Sequence, residues 1–400
     1  MPEAPPLPSV HVVTHARGFD QLEKPWTELQ SGNPDSSIFL SWDWQRLWWK
    51  HYGVGRELCI LVATRGPDVV GILPLYLETH RKAGGLFIAR KLRQIGVGGD
   101  TAPDDLGGLF LADEETQAAA SMVRMLARRI PRWDMLDWSD LAPRSTLATL
   151  LARHLSEAGL RVALSCSDPI IYGTLPASWD AYRRGLSCSR RETMTRKRRK
   201  FEALPGARMR VIDTPDAVGP AFEQLARLHR LRWATRTERP AFTSPQYVGF
   251  HRDLMTALLP KGRLRLLSLD LGEQPIAMLY GMQYKRRFCF FQGGFDPGHA
   301  QSSPGDVLMG YAVELAINQG CEIFDMLKGD HDYKRHFFRQ ERRNLGIRAF
   351  RPGLVDLAYR MHGVFRPPTS PPLRDIGGPC PDDVAPADND EGATQRAARS

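Results

Sequence analysis

The pattern of apolar and polar positions predicts two α/β units, one after the other along the chain. The second half is predicted to contain three strands, a helix and a fourth strand, at 264–269, 276–283, 288–292, 303–320 and 322–326. The first half repeats this order with a hairpin, two further strands, a helix and a last strand, at 57–64, 69–77, 91–96, 106–111, 115–130 and 133–138. The shared order predicts an internal duplication of one α/β unit.

A basic segment joins the two units. A helix is predicted from Ser178 to about Lys200, and it ends in a run of cations that starts at Arg196. One interpretation is a solvated connecting helix, and the other is a clamp for the phosphates of an anionic ligand. The predicted domain division begins with a disordered start at 1–10 and a first lobe at 11–166. A connecting basic helical segment at 167–206 leads to a second lobe at 207–365, and a disordered tail follows at 366–400.

The helix that follows the third strand of the second unit is predicted to begin at an anion site. Ser303 is expected to cap this helix, Pro304 to occupy its first turn and Asp306 to complete a capping box. The dipole and the unpaired N–H groups of a helix start attract anions. The next strand should run parallel to its predecessor, so its polar end would lie beside the anion site. The alternative is an ordinary βαβ unit with a solvated loop.

An ordered set of short motifs in the second unit resembles the BioF2-like acetyltransferase domain of the GNAT superfamily, which occurs in the CelD group of cellulose-biosynthesis proteins. The motifs are Pro275-Ile-Ala277, Phe291-Gln-Gly-Gly-Phe295-Asp-Pro297, Ser303-Pro-Gly305 and Phe324-Asp325-x-x-Lys328-Gly329-Asp330-x-x-Tyr333-Lys334. The resemblance covers about 39–338 and extends distantly to Fem-type transferases, which take aminoacyl groups from tRNA. It implies an α/β (α+β) fold of two tandem GNAT-like lobes, with mixed sheets flanked by helices, and acyl transfer from acyl-CoA.

The resemblance also implies a set of site residues. The predicted catalytic residues are Asp325, Lys328, Asp330, Tyr333 and Lys334. The predicted acyl-CoA contacts are Gln292, Gly293, Ser302, Ser303 and Gly305, and the predicted substrate contacts are Arg190 and Arg191. The usual GNAT diphosphate loop has two small residues, whereas the stretch here, Gln301 to Asp306, has one glycine and an acid close behind it.

Each of these residues has an expected role in direct acyl transfer to an amine or hydroxyl. Amides near Gln292 would stabilise the oxyanion, and either Asp325 or Asp330 would accept a proton. Tyr333 would protonate the leaving thiolate, and Lys334 would neutralise developing charge. The competing interpretation is that these acids are strand-end caps and surface ion pairs.

The overall composition indicates which classes of partner and which cellular location are expected. A net charge of +9 and a pI near 9.4 favour anionic partners such as phosphorylated carriers, RNA or an acidic glycan. No apolar run approaches the ~18 residues needed to cross a bilayer, and the scattered cysteines predict reduced thiols in a cytoplasmic protein, with no metal site and no permanently bound cofactor.

The sequence therefore predicts an acyltransferase that uses acetyl-CoA or another acyl-CoA as co-substrate, acts on an unidentified acceptor and takes part in cellulose, exopolysaccharide or cell-envelope biosynthesis. Two alternatives stay open at this point. One is an aminoacyl-tRNA-dependent transferase of the Fem type. The other is a non-catalytic partner that binds a carrier or a glycan within a polysaccharide-synthesis machine.

Overall fold

The structure is a computed structural model that describes residues 6–34, 36–82, 87–128, 132–143, 145–234 and 241–365. The predicted disordered tail, 366–400, and residues 1–5 lie outside the described residues. Residues 9 and 10, predicted to belong to the disordered start, are instead part of a strand. None of the helices in the described ranges has the length and apolarity that crossing a membrane requires.

The first half of the chain contains nine strands and five helices among the described residues. They are β1 (Ser9–Val13), α1 (Ala16–Asp20), α2 (Glu23–Gly32), α3 (Trp42–Tyr52), β2 (Glu57–Leu58), β3 (Ile60–Arg65), β4 (Asp68–Leu73), β5 (Leu75–Lys82), β6 (Phe87–Gln94), β7 (Leu109–Phe110), α4 (Glu115–Ala127), β8 (Met135–Leu141), α5 (Thr146–Glu157) and β9 (Arg161–Cys166). The strand predicted at 106–111 is reduced to the two residues of β7.

The second half adds eight strands and seven helices within 167–234 and 241–365. They are β10 (Ile170–Thr174), α6 (Trp179–Gly185), α7 (Cys188–Glu202), β11 (Ala207–Ile212), α8 (Pro215–Trp233), α9 (Pro245–Leu258), β12 (Leu264–Leu271), β13 (Gln274–Tyr284), β14 (Arg287–Phe295), α10 (Pro304–Asn318), β15 (Ile323–Lys328), α11 (Asp332–Arg335), β16 (Gln340–Arg342), β17 (Leu345–Phe350) and α12 (Leu354–Phe365). Strands β10, β16 and β17 and helices α11 and α12 were not predicted.

The predicted single basic helix is two helices, α6 and α7. The chain is extended at Ser187, whose hydroxyl accepts a hydrogen bond from the Arg190 N–H and so caps α7. A serine at this position satisfies one of the unpaired N–H groups of a helix start, which makes it a natural place for a second helix to begin. The connecting segment therefore turns before its run of cations.

The two lobes exchange strands. The second lobe contains a mixed sheet in the order β11-β12-β13-β14-β15-β10-β16, and the first lobe contains two sheets, β2-β5-β6-β8-β17-β9 and β1-β3-β4-β7. Strand β17 comes from the end of the chain, yet it lies between β8 and β9 of the first lobe. Strand β10 follows the first lobe in sequence and pairs with β15 of the second. No single cut in the sequence separates the lobes.

An aromatic core spans the lobe boundary. Helix α3 of the first lobe packs on α9 of the second, and Trp44 is fully buried with its ring 5.0 Å from that of Phe250 and 5.7 Å from that of Phe291. Large aromatic rings bury much apolar surface, so this contact contributes strongly to holding the lobes together. The aromatic side chains of α3 therefore belong to the core that joins the lobes.

Candidate functional site

The two parallel strands at the centre of the second lobe separate at one end. Strands β14 and β15 pair only from Arg287 opposite Ile323 to Cys289 opposite Asp325, although both continue further. Next to the point of separation β14 contains a bulge, because Tyr280 of β13 lies opposite Gln292 while the next residue lies opposite Phe290. A bulge disrupts the ladder and leaves backbone groups unpaired. Amides of β14 are therefore available at the opening.

A cavity of about 620 Å³ lies at this opening. Its walls come from β14, β15, the segment after β15, helices α8 and α9, and a loop of the first lobe. The lining residues are Asp100, Thr101, Ala102, Arg232, Trp233, Tyr247, 290–293, 326–328 and 330–334. A concave site with a few polar groups, at the boundary of two lobes, has the general form of a small-molecule site.

The end of β15 is held in an unusual backbone conformation. Leu327 has φ of 57°, a left-handed value that a branched side chain rarely adopts. Two side chains hold it there: the Asp325 carboxylate accepts a hydrogen bond from the Leu327 N–H at 2.8 Å, and the Lys334 ammonium donates to the Leu327 carbonyl at 2.8 Å. The same ammonium donates to the Lys328 carbonyl at 2.9 Å. Asp325 and Lys334 thus fix the direction in which the strand leaves the sheet.

Lys334 carries a buried ammonium at the cavity wall. It is 3% exposed, and burial lowers its pKa to about 8, opposed by the negative charges of Asp104, Asp325 and Asp330. Desolvation disfavours a charged amine, so a lysine in this position loses its proton more readily than one in water. Lys334 therefore combines a structural role at Leu327 with a tuned charge next to the cavity.

Asp325 lies below the cavity and does not line it. It is 1% exposed, and its Oδ2 atom accepts hydrogen bonds from Arg287 at 3.1 Å and from Arg342 at 2.8 Å. The same two arginines bind Asp105 of the first lobe. Because both of its oxygens already accept hydrogen bonds and it does not line the cavity, Asp325 is placed as a positioning residue. Of the two predicted proton acceptors, only Asp330 lines the cavity, and it pairs with Arg335 at 3.0 Å.

Lys328 joins the lobes rather than extending freely into the cavity. Its ammonium contacts Asp140 and lies 3.5 Å from Asp104, and its backbone N–H donates to Asp104 at 3.1 Å. Burial raises the pKa of Asp104 to about 7, with the Lys328 charge opposing the rise. Asp104, Asp105 and Asp140 were missed in the sequence because their partners lie far away in the chain and no local motif connects them.

The start of α10 differs from the predicted capping box. Ser303 has a left-handed conformation with φ of 50° and makes no side-chain cap hydrogen bond, so the expected cap is wrong. The Asp306 carboxylate is bound instead by the Lys197 ammonium at 2.5 Å, with Arg190 at 3.8 Å. Pro304 has no N–H, and Val307 donates to the Ser303 carbonyl. The amides of Gly305 and Asp306 are thus the ones that can contact a ligand at this helix start.

The predicted acyl-CoA contacts fall into two groups. Gln292 and Gly293 line the cavity, whereas Ser302, Ser303 and Gly305 do not. The two groups are linked by Arg232, which was not predicted. Its guanidinium carbon lies 5.5 Å from the ring centroid of Phe295 and 5.6 Å from that of Tyr333. The Phe295 ring in turn lies beside Gly305.

Arg190 and Arg191 point to different surroundings. Arg190 spans the start of α10 and the segment after Tyr333, because it contacts Asp306, donates to the His336 carbonyl at 3.1 Å and lies over the ring of Phe337. Arg191 approaches the Cys188 sulfur at 3.5 Å. Of the two predicted substrate contacts, Arg190 is the one that lies between the helix start and the Tyr333 segment.

Residues 189–335 match the sequence family described as "Acetyltransferase (GNAT) domain". The fold is similar to the crystal structure of FemX, at 9% identity and a TM-score of 0.58, with coverage of 88% of this chain and 99% of that one. It is also similar to a conserved protein of unknown function from Bacteroides thetaiotaomicron (10%, TM-score 0.53, coverage 85% and 100%) and to the C-terminal domain of a putative lysylphosphatidylglycerol synthetase from Agrobacterium fabrum (12%, TM-score 0.50, coverage 87% and 96%). No curated protein sequence matches the chain.

These similarities confirm the predicted fold class, an α/β protein of GNAT-like lobes with mixed sheets and flanking helices. The family match lies on the half of the chain that carries the opening between β14 and β15. The matched residues also include Arg190, Arg232, Tyr333 and Lys334, which surround that opening or connect it to the start of α10.

Proposed function

We propose that the chain is an acyltransferase that moves an acyl group from acyl-CoA to an amine or hydroxyl acceptor in the cavity between its lobes. The observation that carries this proposal is the separation of β14 and β15 beside a bulge, at the one end of the sheet where Tyr333 and Lys334 meet it. Unpaired strand amides next to a phenol and a buried ammonium supply donors for a developing oxyanion and for a leaving group.

In the proposed reaction the acceptor nitrogen or oxygen attacks the thioester carbonyl carbon directly. A bond forms between the acceptor atom and this carbon, and the carbon–sulfur bond breaks after the tetrahedral intermediate. Amides at the β14 bulge donate hydrogen bonds to the oxyanion, and the proton of the acceptor passes to Asp330 or to water. Tyr333 gives a proton to the departing thiolate, and Lys334 stabilises negative charge from the cavity wall.

The start of α10 holds the diphosphate of the donor in this proposal. The Gly305 and Asp306 amides, with Arg190, Lys197 and the exposed Lys200, provide the donors and positive charge that phosphates need. The resemblance to the CelD group leads us to propose that the reaction serves cellulose, exopolysaccharide or cell-envelope biosynthesis.

A second candidate function follows from the position of Asp306. Its carboxylate lies at the helix start and already pairs with Lys197, where a diphosphate would compete with it. This competition favours a donor whose phosphates bind elsewhere, such as an aminoacyl-tRNA lying along α7. Arg196, Arg199 and Lys200 are exposed on that helix and offer contacts to a nucleic-acid backbone.

Binding of the donor can be measured by thermal shift of the whole protein with acetyl-CoA, longer acyl-CoAs, and charged and uncharged tRNA. A donor that binds only the folded state stabilises it, by an amount that grows with the logarithm of the donor concentration once this exceeds Kd. Stabilisation by acyl-CoA that disappears in Lys197→Met but persists in Lys24→Met, on the exposed surface of α2, would support the CoA proposal. Stabilisation by charged tRNA alone would favour the second candidate, and no response to any donor would contradict both.

The chemical step is tested with Tyr333→Phe in an acyl-transfer assay that follows release of free thiol. Loss of a general acid is expected to lower kcat by about 10²-fold or more, with KM little changed. Tyr359→Phe is the matched control, since Tyr359 on α12 packs against Phe350 of β17, away from the cavity. Equal kcat for Tyr333→Phe and wild type would remove Tyr333 from the mechanism.

A further inference from the structure

The first lobe contributes one wall of the cavity through the loop between β6 and β7. Asp100, Thr101 and Ala102 line the cavity from this loop. Ala102 has φ of 42°, so the loop is held in a conformation that an alanine rarely adopts. The Tyr52 hydroxyl donates a hydrogen bond to the exposed Asp100 carboxylate and fixes its position. Asp100 is thus an oriented carboxylate that faces the opening of the second lobe.

A buried hydroxyl faces the same part of the cavity. Tyr247 of α9 lines the cavity and is 1% exposed, and its hydroxyl has no hydrogen bond of acceptable distance and angle within the described part of the chain. Burial raises the pKa of this phenol, the Gln292 amide opposes the rise, and the nearby Asp100 carboxylate adds to it. Buried polar groups normally have partners, so this neutral hydroxyl next to Asp100 and Gln292 indicates a ligand.

Four of the remaining charged residues of the cavity lining contact other groups, and Asp332 adds a further carboxylate to the lining. Lys334 donates to two carbonyl groups, Lys328 contacts Asp140, and Asp330 is paired with Arg335. Arg232 lies over the rings of Phe295 and Tyr333, and its guanidinium donates to the Gly293 carbonyl at 3.4 Å. The side that Asp100 and Tyr247 form therefore presents a carboxylate and two neutral polar groups, without a cation directed at them from these residues.

We infer that Asp100, Tyr247 and Gln292 form a subsite that binds the acyl acceptor as a primary ammonium ion, which releases one proton to water before its nitrogen attacks the thioester. An ammonium group has donors for a carboxylate, a phenol oxygen and an amide oxygen, and it offers no acceptor that would need a donor in return. The charge-assisted hydrogen bond to Asp100 would be the strongest of the three. The subsite deepens the proposed function, on which it rests, because it selects amines over neutral hydroxyl acceptors and assigns the first lobe to acceptor binding.

The subsite is tested by calorimetric titration of the whole protein with 1,5-diaminopentane and with its neutral analogue 1,5-pentanediol. The diamine should bind wild type, and the diol should bind more weakly by about tenfold or more. Asp100→Asn should weaken diamine binding by about tenfold or more, and Tyr247→Phe by several-fold. Asp113→Asn, an exposed change in the same lobe away from the cavity, should leave it unchanged.

Both conservative variants keep the shape of the side chain, so loss of the fold is not expected, and circular dichroism of each variant checks it. The inference is overturned if the diamine does not bind, if the diol binds equally well, or if Asp100→Asn binds the diamine like wild type. Failure of the proposed function looks different: amine binding would depend on Asp100 while no donor gives acyl transfer. Conversely, equal acyl transfer to amines and alcohols, unaffected by Asp100→Asn, would remove the subsite and leave the acyltransferase.

Discussion

Replacing Lys334 by methionine should remove a pH dependence of stability that the buried ammonium causes. In the folded protein its pKa is lowered from 10.5 to about 8. Below about pH 8 the lysine is protonated in both the folded and the unfolded chain, so the cost of burying the charge is fully present. Between about pH 8 and 10.5 the folded chain has released this proton while the unfolded chain keeps it, and the free energy of unfolding rises with pH.

The size of this effect follows from the change in pKa. The lowering of the Lys334 pKa from 10.5 to about 8 corresponds to about 3 kcal/mol, most of which should appear between about pH 7 and 10. Methionine also removes the hydrogen bonds to the Leu327 and Lys328 carbonyls, which costs about 1 kcal/mol each at any pH. The cost of losing the hydrogen bonds is the same at both pH values, so the change in relative stability between them measures the contribution of the buried charge alone.

The measurement is urea unfolding of wild type, Lys334→Met and Lys24→Met at about pH 7 and pH 10. At each pH the free energy of unfolding of Lys334→Met is compared with that of wild type. This difference should favour the variant by about 2 to 3 kcal/mol more at pH 7 than at pH 10. Lys24 is exposed on α2, so its replacement should give the same relative stability at both pH values. Indistinguishable pH profiles for wild type and Lys334→Met would refute the buried-ammonium argument.

Three other substitutions test the packing around the cavity. Gly294→Ala should destabilise the protein by several kcal/mol in thermal unfolding, because a Cβ there would lie 2.3 Å from the backbone nitrogen of His229 on α8. Arg342→Met should cost about 3 to 5 kcal/mol, since it leaves the buried Asp325 carboxylate without one of its two arginines. Ala102→Gly should raise the unfolding temperature slightly, by relief of about 1 kcal/mol of left-handed strain, and a lower unfolding temperature would contradict this account.

Local patterning predicted the elements around the cavity well, because each is a long and regular piece of chain. The strand predicted at 276–283 is Gln274–Tyr284, and the helix predicted at 303–320 is Pro304–Asn318. Strand β17 was not predicted, although it is central to a sheet. It is short, and its partners β8 and β9 are separated from it by almost half of the chain, so no local pattern could identify them.

The site was predictable only where it follows the strand order. Tyr333 and Lys334 follow β15, and Gln292 lies on β14, so the parallel crossover brings them together at the cavity. Asp100 and Tyr247 reach the same cavity only through the packing of the two lobes, which depends on the aromatic contact between α3 and α9. Packing between distant elements has no spacing signature in one sequence.

The parallel strand pair of the second lobe opens onto the cavity, whereas the parallel strand pair of the first lobe, β6 and β8, is closed. In the first lobe, β6 and β8 also pair briefly as parallel strands and then separate. There the gap is closed, because Leu106 bridges to Leu141, and the buried Gln94 amide, oriented so that both of its polar atoms are satisfied, donates to the Ser139 carbonyl and accepts from the Gly107 N–H.

The segment that closes the gap of the first lobe continues directly into the wall of the second. Just before Leu106, the carboxylates of Asp104 and Asp105 reach Lys328 and Arg342, and the loop that precedes them carries Asp100 to the cavity. A strand pair that opened in the first lobe would have to release these contacts. The closed first lobe and the open second lobe are therefore two consequences of one loop, which supports assigning the chemical step to one lobe and acceptor binding to both.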